Sequence, residues 1–361
     1  MRRCDLLLLC PLLVVACTEV GPPKIGVVMS TGPRRAAELA ASEQQAGEPG
    51  HFEPVLAWSP GGSAEQAIEQ ANQFASDGRV LAVVGHANSA SSIAASQIYN
   101  DAGLVQIAPT TTASLYGQAG PFSFRLVPSD TLQAAYILKA REHHWPQARR
   151  VAMVHVNDDY GRGLFRELRP HLDSVVFEGM YADGADPAVL AQLTERIIAR
   201  RPDLLFWLGR PSSLGQVIEP LRAALPGLTI VCGDACDAAA VYRNEDGRFT
   251  GLFFVRFTNP SAPDSTLRAF QDRYRKVTGE LASSEALLTY DAISLIRAAL
   301  REGASTREDV RRWLLSLGGE REAFAGLTGS IEFDHSGTAH RAYLLAEVRA
   351  DGVGPAGHMR M

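Results

Sequence analysis

A chain of 361 residues, 46% apolar and 21% charged, has an ordinary globular balance and is long enough for two domains with cores of their own. Its net charge is −5 and it contains no basic block, which excludes the electrostatic footprint of a nucleic-acid binder. It also lacks the G-x-x-x-x-G-K-S/T phosphate loop and the G-x-S-x-G nucleophile elbow, so binding is favoured over catalysis and no cofactor is expected.

The chain opens with Arg2 and Arg3, then an apolar run, Leu6–Ala16, too short to span a membrane. Cys17 follows Val14-Val15-Ala16, which matches a lipoprotein signal peptide over residues 1–16 with Cys17 carrying lipid. An ordinary secretory signal beside a chance cysteine is the blander alternative. Cleavage removes Arg2, Arg3 and Asp5, moving the net charge from −5 to −6. Each buried acyl CH₂ contributes ~0.8 kcal/mol, so several chains would hold the protein on a membrane.

Ile25–Met29 reads as a strand, Arg34–Gln45 as a short helix, Pro54–Trp58 as a second strand and Ser63–Ser76 as an amphipathic helix. Leu81–Val84 is a continuous apolar run, the mark of a strand buried on both faces. Gly85-His86 closes it, and Asn88, Ser89 and Ser91 stand at the next helix start, where side-chain oxygens take up orphan amide protons. Gly103 stops that helix, Leu104–Ala108 is the next strand, and Pro109-Thr110-Thr111-Thr112 follows it. Hydroxyls and free amides at the carboxyl ends of two parallel strands suit a small anion such as a carboxylate. Each of these residues alone would be read as a helix cap; together they read as a pocket wall.

A second alternation follows. Val151–His155, Val175–Gly179, Leu204–Leu208 and Leu228–Cys232 are strands, with helices at Thr131–Glu142, Gly163–Leu172, Pro187–Arg200 and Ser212–Ala224. Leu252–Phe257 is a further strand, three helices run over Asp264–Thr278, Glu285–Gly303 and Thr306–Leu317, and Ser330–Phe333 with Ala342–Val348 are expected to close the chain as a hairpin. Strand and helix alternating in two runs predict an α/β fold of two doubly wound, Rossmann-like lobes. His143-His144 reads as a solvated helix end rather than a metal site. Cys232 and Cys236 could pair in an oxidising compartment only if they sit in a loop, since four-residue helical spacing leaves their Cβ atoms about 5–6 Å apart; a disulfide and two free thiols both stay open.

The stretch GHANSASSIAASQIYNDAGLVQIAPTTTAS resembles the corresponding segment of the branched-chain amino-acid (leucine/isoleucine/valine) binding proteins, which are type I periplasmic binding proteins. PFSFRLVPSD, VAMVHVNDDYGRGLFREL and GSIEFDHSGTAHRAYLLAEV resemble three further family segments, and the likeness covers most of the chain after about residue 50. The resemblance implies a three-crossing hinge, with crossings at Pro128, Asn259 and near Gly326. Lobe one would then comprise residues 24–127 and 259–325, and lobe two residues 128–258 and 326–361. The first loop and helix are shorter here than in the family.

Carried over residue by residue, the resemblance implies that Ser89, Thr110 and Thr112 hold a ligand carboxylate, Thr110 mainly through its backbone, and that Tyr160 approaches from lobe two. Arg210 stands where the family has an aromatic side chain. It reads either as a bare cation for a second anionic group or as a surface residue at a helix start. Ala235 stands where the family has the acid that pairs the ligand's ammonium, a role that could pass to Asp234 or Asp158 or be lost. The implied function is the solute-binding lipoprotein of an ABC importer, partnered by a permease, facing the periplasm or exterior, and taking an amino acid or related small carboxylate. The alternative is an envelope lipoprotein that uses the same fold for sensing or for regulating a protein partner.

Overall fold

The computed structural model describes residues 21–58, 62–259, 262 and 264–356, so the leader and Cys17 lie outside the described residues. The first αβ series contains β1 (Lys24–Met29), α1 (Thr31–Ser42), β2 (Glu53–Trp58), α2 (Ala64–Ser76), β3 (Val80–Gly85), α3 (Ser89–Asp101), β4 (Val105–Ala108) and β5 (Ser123–Arg125). Its five strands form one parallel sheet in the order β2-β1-β3-β4-β5. Every residue of β3 and β4 is buried, as their unbroken apolar pattern requires of central strands covered on both faces.

The second series contains α4 (Asp130–His144), β6 (Val151–Val156), α5 (Asp159–Leu168), β7 (Val175–Tyr181), α6 (Pro187–Arg200), β8 (Leu204–Leu208), α7 (Pro211–Ala224), β9 (Thr229–Cys232), α8 (Ala239–Arg243) and β10 (Phe253–Arg256). The chain then runs through α9 (Ser265–Thr278), α10 (Ser284–Arg301) and α11 (Arg307–Leu315), which return to the first sheet: α10 packs on α1 and β3, and α11 on β3 and β4. A small hairpin, β11 (Phe324–Gly326) with β12 (Gly329–Ile331), precedes β13 (Leu344–Arg349) and β14 (Gly352–Pro355). The second sheet has the order β14-β13-β10-β9-β8-β6-β7, parallel except for the antiparallel β13 and β14. Each sheet with its helices forms one lobe, and the two-lobed α/β expectation holds.

Two expectations change. The closing hairpin is not 330–333 with 342–348. Instead β12 pairs back onto β11, and β13 pairs with β10 and β14. The return near Gly326 also comes later, because the β11–β12 hairpin is tied to lobe one. Asp291 of α10 accepts from Leu327 N at 2.7 Å and Thr328 N at 2.9 Å. Further on, Gly337 O accepts from Arg125 N at 2.8 Å and Ala339 N donates to Arg125 O at 2.9 Å, extending the edge of the first sheet. The chain reaches the second sheet only at Leu344, and Tyr343 marks the crossing. Its hydroxyl donates towards Pro128 O and Ser129 O at 3.2 and 3.1 Å, and its ring lies 5.2 Å from that of Phe257. One tyrosine therefore touches all three places where the chain changes lobe.

Candidate functional site

The carboxyl ends of the two sheets face each other across a cavity of about 130 Å³. That volume suits one small metabolite rather than a peptide or a drug-sized molecule. On the lobe-one side, β3 ends at Gly85 and α3 begins at Ser89. Asn88 caps the helix with its side-chain oxygen, which accepts from Ser91 N at 2.9 Å. A neutral cap leaves the positive end of the helix dipole without a charged partner from the protein. Ser89, 3% exposed, lines the cavity, and Thr110 joins it from the turn after β4. His86, behind this wall, hydrogen-bonds Tyr99 at 3.1 Å, and burial pushes its imidazole down to about 3, so it stays neutral.

On the lobe-two side the turns carry charge. Asp158 caps α5, accepting from Gly161 N at 2.8 Å, and takes Arg210 Nη2 on its other oxygen at 2.5 Å. Asp183 lies 3.7 Å from the same guanidinium. Arg210 stacks over Tyr160, with 5.5 Å from guanidinium carbon to ring centroid, and its backbone N donates to Tyr181 Oη at 2.8 Å. The reading of Arg210 as a bare cation is thereby overturned: two carboxylates already engage it. The surface reading also fails, since it lines the cavity with its side chain 20% exposed.

Tyr160 is buried, and its hydroxyl accepts from Ala235 N at 3.3 Å. That approach depends on Gly233, where a Cβ would lie 2.3 Å from the Tyr160 oxygen. Gly161 is equally constrained: a Cβ there would meet the Val156 carbonyl oxygen at 2.1 Å. Asp234 lines the cavity and is held by Gln133, which donates to its carboxylate at 2.7 Å and accepts from its backbone N at 3.0 Å. Burial pushes Asp234 up to about 6, opposed by the hydrogen bonds from Gln133 and Tyr160.

Of the six expected site residues, Ser89, Thr110, Tyr160, Arg210 and Asp234 line one cavity. Thr112 does not. It is fully buried behind the wall, and its carbonyl accepts from Asp130 N at 2.7 Å and Arg125 Nη1 at 3.3 Å. The chain turns into the first crossing there, and a side chain at that corner has no path to the cleft. Asp130 beside it is also buried; burial and the nearby Asp234 push it well above the carboxylate range.

The sequence reasoning missed Gln133, Asp237, Ser284 and Glu285. Asp237 accepts from Tyr242 Oη at 2.8 Å, and burial raises it to about 6. Glu285, in the first turn of α10, accepts from Ser30 Oγ at 3.4 Å, and burial raises it to about 7. The second acid of the GDACD turn was the visible signal for Asp237. Glu285 looked like an ordinary first-turn acid, and nothing local marks Gln133. Cys232 and Cys236 are buried free thiols, at the end of β9 and in the short 3₁₀ turn after it. Among the described residues no cluster of three or more His, Cys, Asp or Glu could hold a metal ion, and no helix is long and apolar enough to cross a membrane.

Residues 26–353 match the family model described as periplasmic binding protein. The chain belongs to the periplasmic binding protein family. Its two doubly wound lobes give it the type I fold of that family. The Leu/Ile/Val-binding protein homolog 1 of Brucella abortus (strain 2308) is 26% identical over 289 residues, 76% of this chain and 72% of that one. The Leu/Ile/Val-binding protein of Escherichia coli (strain K12) is 32% identical over 170 residues, 44% of each chain. Among solved structures, a leucine binding protein from Thermotoga maritima MSB8 superposes with a TM-score of 0.81 at 22% identity, covering 93% of this chain and 98% of its own. A branched-chain amino acid substrate binding protein from Streptococcus pneumoniae, in complex with isoleucine, gives 0.79 at 22% identity, covering 92% and 98%. In this periplasmic binding protein the cavity lies where doubly wound lobes take ligands, at the carboxyl ends of their strands.

Proposed function

We propose that this chain is the extracytoplasmic receptor of an ABC importer and binds one amino acid, or a related small carboxylate, between its lobes. One observation carries the reading: a neutrally capped helix start with Ser89 and Thr110 faces the buried acid Asp234 across a cavity the size of a single metabolite. The first wall suits a carboxylate and the second an ammonium, the two ends of an amino acid. The named relatives are Leu/Ile/Val-binding proteins, which supports the class. The role is binding, not catalysis. A permease is the partner after closure, and lipid on Cys17 anchors the protein to a membrane, facing the periplasm or exterior. Thermal shift of the purified protein against the common amino acids and small carboxylates tests the reading. A ligand at 100 times its dissociation constant adds about 2.7 kcal/mol and raises the melting temperature. If no amino acid or small carboxylate shifts the transition, the receptor reading fails. Labelling with a fatty-acid analogue tests the anchor: Cys17→Ser should abolish incorporation.

A further inference from the structure

The cleft carries more negative charge than a zwitterion can answer. Arg210 is held by Asp158 and Asp183, which leaves Asp234, Asp237 and Glu285 facing the cavity. Arg256 stands behind Asp237 but makes no ion pair among the described residues; its guanidinium donates to Tyr242 Oη at 3.4 Å and Asn259 Oδ1 at 3.3 Å. A neutral amino acid brings one ammonium and one carboxylate, so at most one of the three acids gains a partner.

Two further observations concern the far end of the cleft. Asp237 is 8% exposed and lines the cavity, and its Oδ2 has no hydrogen-bond partner among the described residues. Among the described residues, the carboxylate of Glu285, reaching in from α10 of the other lobe, has only the long 3.4 Å contact from Ser30. Polar and apolar groups share the wall around them about equally. Its apolar part consists of Phe257, the ring of Tyr160 and the small side chains of Ala87, Ala235 and Ala238. A branched aliphatic side chain would strip water from these carboxylates and return nothing, a cost sites of this kind use to reject ligands.

We propose that the cleft takes an amino acid whose side chain ends in a second cation, an ammonium or guanidinium, that bridges Asp237 of lobe two and Glu285 of lobe one. The inference rests on the amino-acid receptor reading and sharpens it. The carboxylate lies at Ser89 and Thr110, the α-ammonium at Asp234, and the side-chain cation between Asp237 and Glu285. Burial is the main cause that raises both acids, against lowering by Ser284, Tyr242 and Arg256 at Asp237 and by Ser30 and Arg210 at Glu285, so a bound cation offsets a desolvation cost already present. Because the two acids belong to different lobes, the same cation favours closure.

Calorimetry on the purified protein at slightly alkaline pH, with lysine, arginine, leucine, glutamate and cadaverine, tests this. Lysine or arginine should bind at least about tenfold tighter than leucine, and Glu285→Gln and Asp237→Asn should each reduce that preference by about tenfold or more. Leucine binding as tightly as either basic amino acid overturns the inference and leaves the amino-acid receptor standing. Cadaverine matching lysine, with Ser89→Ala without effect on either, overturns the carboxylate end and with it the amino-acid reading. No binding by any amino acid overturns both. The wild-type comparison decides the matter even if a variant folds poorly.

Discussion

The two lobes share one winding and differ in what their turns carry. In lobe one the strands run β2-β1-β3-β4-β5; in lobe two the parallel strands run β7-β6-β8-β9-β10, the same order one repeat later. Each lobe therefore has its crevice between its first and third strands. In lobe one that crevice holds Ser30 and the Asn88-Ser89 helix start. In lobe two it holds Asp158 and Arg210, paired at 2.5 Å. The contrast is sharpest at the helix starts. Asn88 caps α3 without charge, so that dipole can act on a ligand anion. Asp158 caps α5 with a carboxylate, so that dipole is already answered. Topology decides where the turns meet, and a handful of turn residues decides that one helix start keeps its dipole free while the other answers its own.

The largest way to break this division is at Asp234. It is buried, clamped by Gln133, and faces the cleft, so Asp234→Asn should remove the partner of the ligand's ammonium at a cost of roughly 2–5 kcal/mol in binding. Calorimetry with whichever amino acid the thermal screen identifies would show it. An unchanged dissociation constant would mean that the cation end of the ligand lies elsewhere. Next in size is Ser89→Ala on the opposite wall, where loss of a hydroxyl donating to a carboxylate should cost roughly 1.5–3 kcal/mol. Thr112→Val should leave affinity unchanged, because Thr112 sits behind the wall at the first crossing.

That pair of variants also separates what was legible in the sequence from what was not. The strands and helices were readable because covered strands give unbroken apolar runs and helix starts such as that at Asn88 carry small polar residues. Ser89 and Thr110 could be placed because strand ends in a doubly wound sheet are where ligands go, and Tyr160 and Asp234 through the family resemblance; all four line the cavity. Thr112 was misplaced because three consecutive threonines in a turn point in different directions, and sequence cannot tell which of them faces the cavity. Arg210 was misjudged because its partners, Asp158 and Asp183, are 52 and 27 positions away on other turns. Gln133 and Glu285 were invisible for the same reason: each meets the cleft only through the packing of one lobe or the closure of both. The late crossing at Tyr343 depended on the tie of Asp291 to Leu327 and Thr328, which no local pattern announces.

The acidity of the cleft makes the comparison visible in stability. Burial holds Asp234 and Asp237 at about 6, above their unfolded values. A carboxyl group whose pKa is raised on folding binds its proton more tightly in the native state. Its contribution to stability is therefore full below the unfolded value and lost as pH rises through about 6. Between about pH 7.5 and about pH 5.5, each of the two should return about 1 kcal/mol to the ligand-free protein. Its melting temperature should rise on acidification over that window, and Asp234→Asn with Asp237→Asn should reduce the rise, the remainder coming from Glu285, which burial raises to about 7. The acids held low by hydrogen-bonding partners, such as Asp309 and Asp334, lose their contribution as pH falls from the ordinary carboxylate range through their depressed values, outside this window. A melting temperature that falls between those two pH values would show that the cleft carboxylates are already answered.

The smallest effect concerns the contacts that hold the two lobes against each other away from the ligand. Ser114, in the short helix after β4, donates to Glu167 of α5 at 3.1 Å and lies 3.0 Å from the Thr131 hydroxyl of α4. Both contacts cross from lobe one to lobe two at the rim. Glu167→Ala should remove about 0.5–1 kcal/mol from the closed form alone, since a partly exposed hydrogen bond is worth little more. A ligand that touches both lobes binds the closed form and draws the population toward it. If closure is needed for tight binding, apparent affinity falls with the closed fraction, whatever the ligand. Glu167→Ala should therefore weaken every ligand by the same factor of about two to five, whereas Asp234→Asn and Ser89→Ala change which ligand is preferred. Small-angle scattering should show a larger radius of gyration for the ligand-free variant than for the parent, with the difference closing when ligand is added. A ligand that binds tightly without compaction, and binds Glu167→Ala as well as the parent, would mean that the lobes do not act as a clamp. Each wall would then have to recognise its end of the ligand without help from the other.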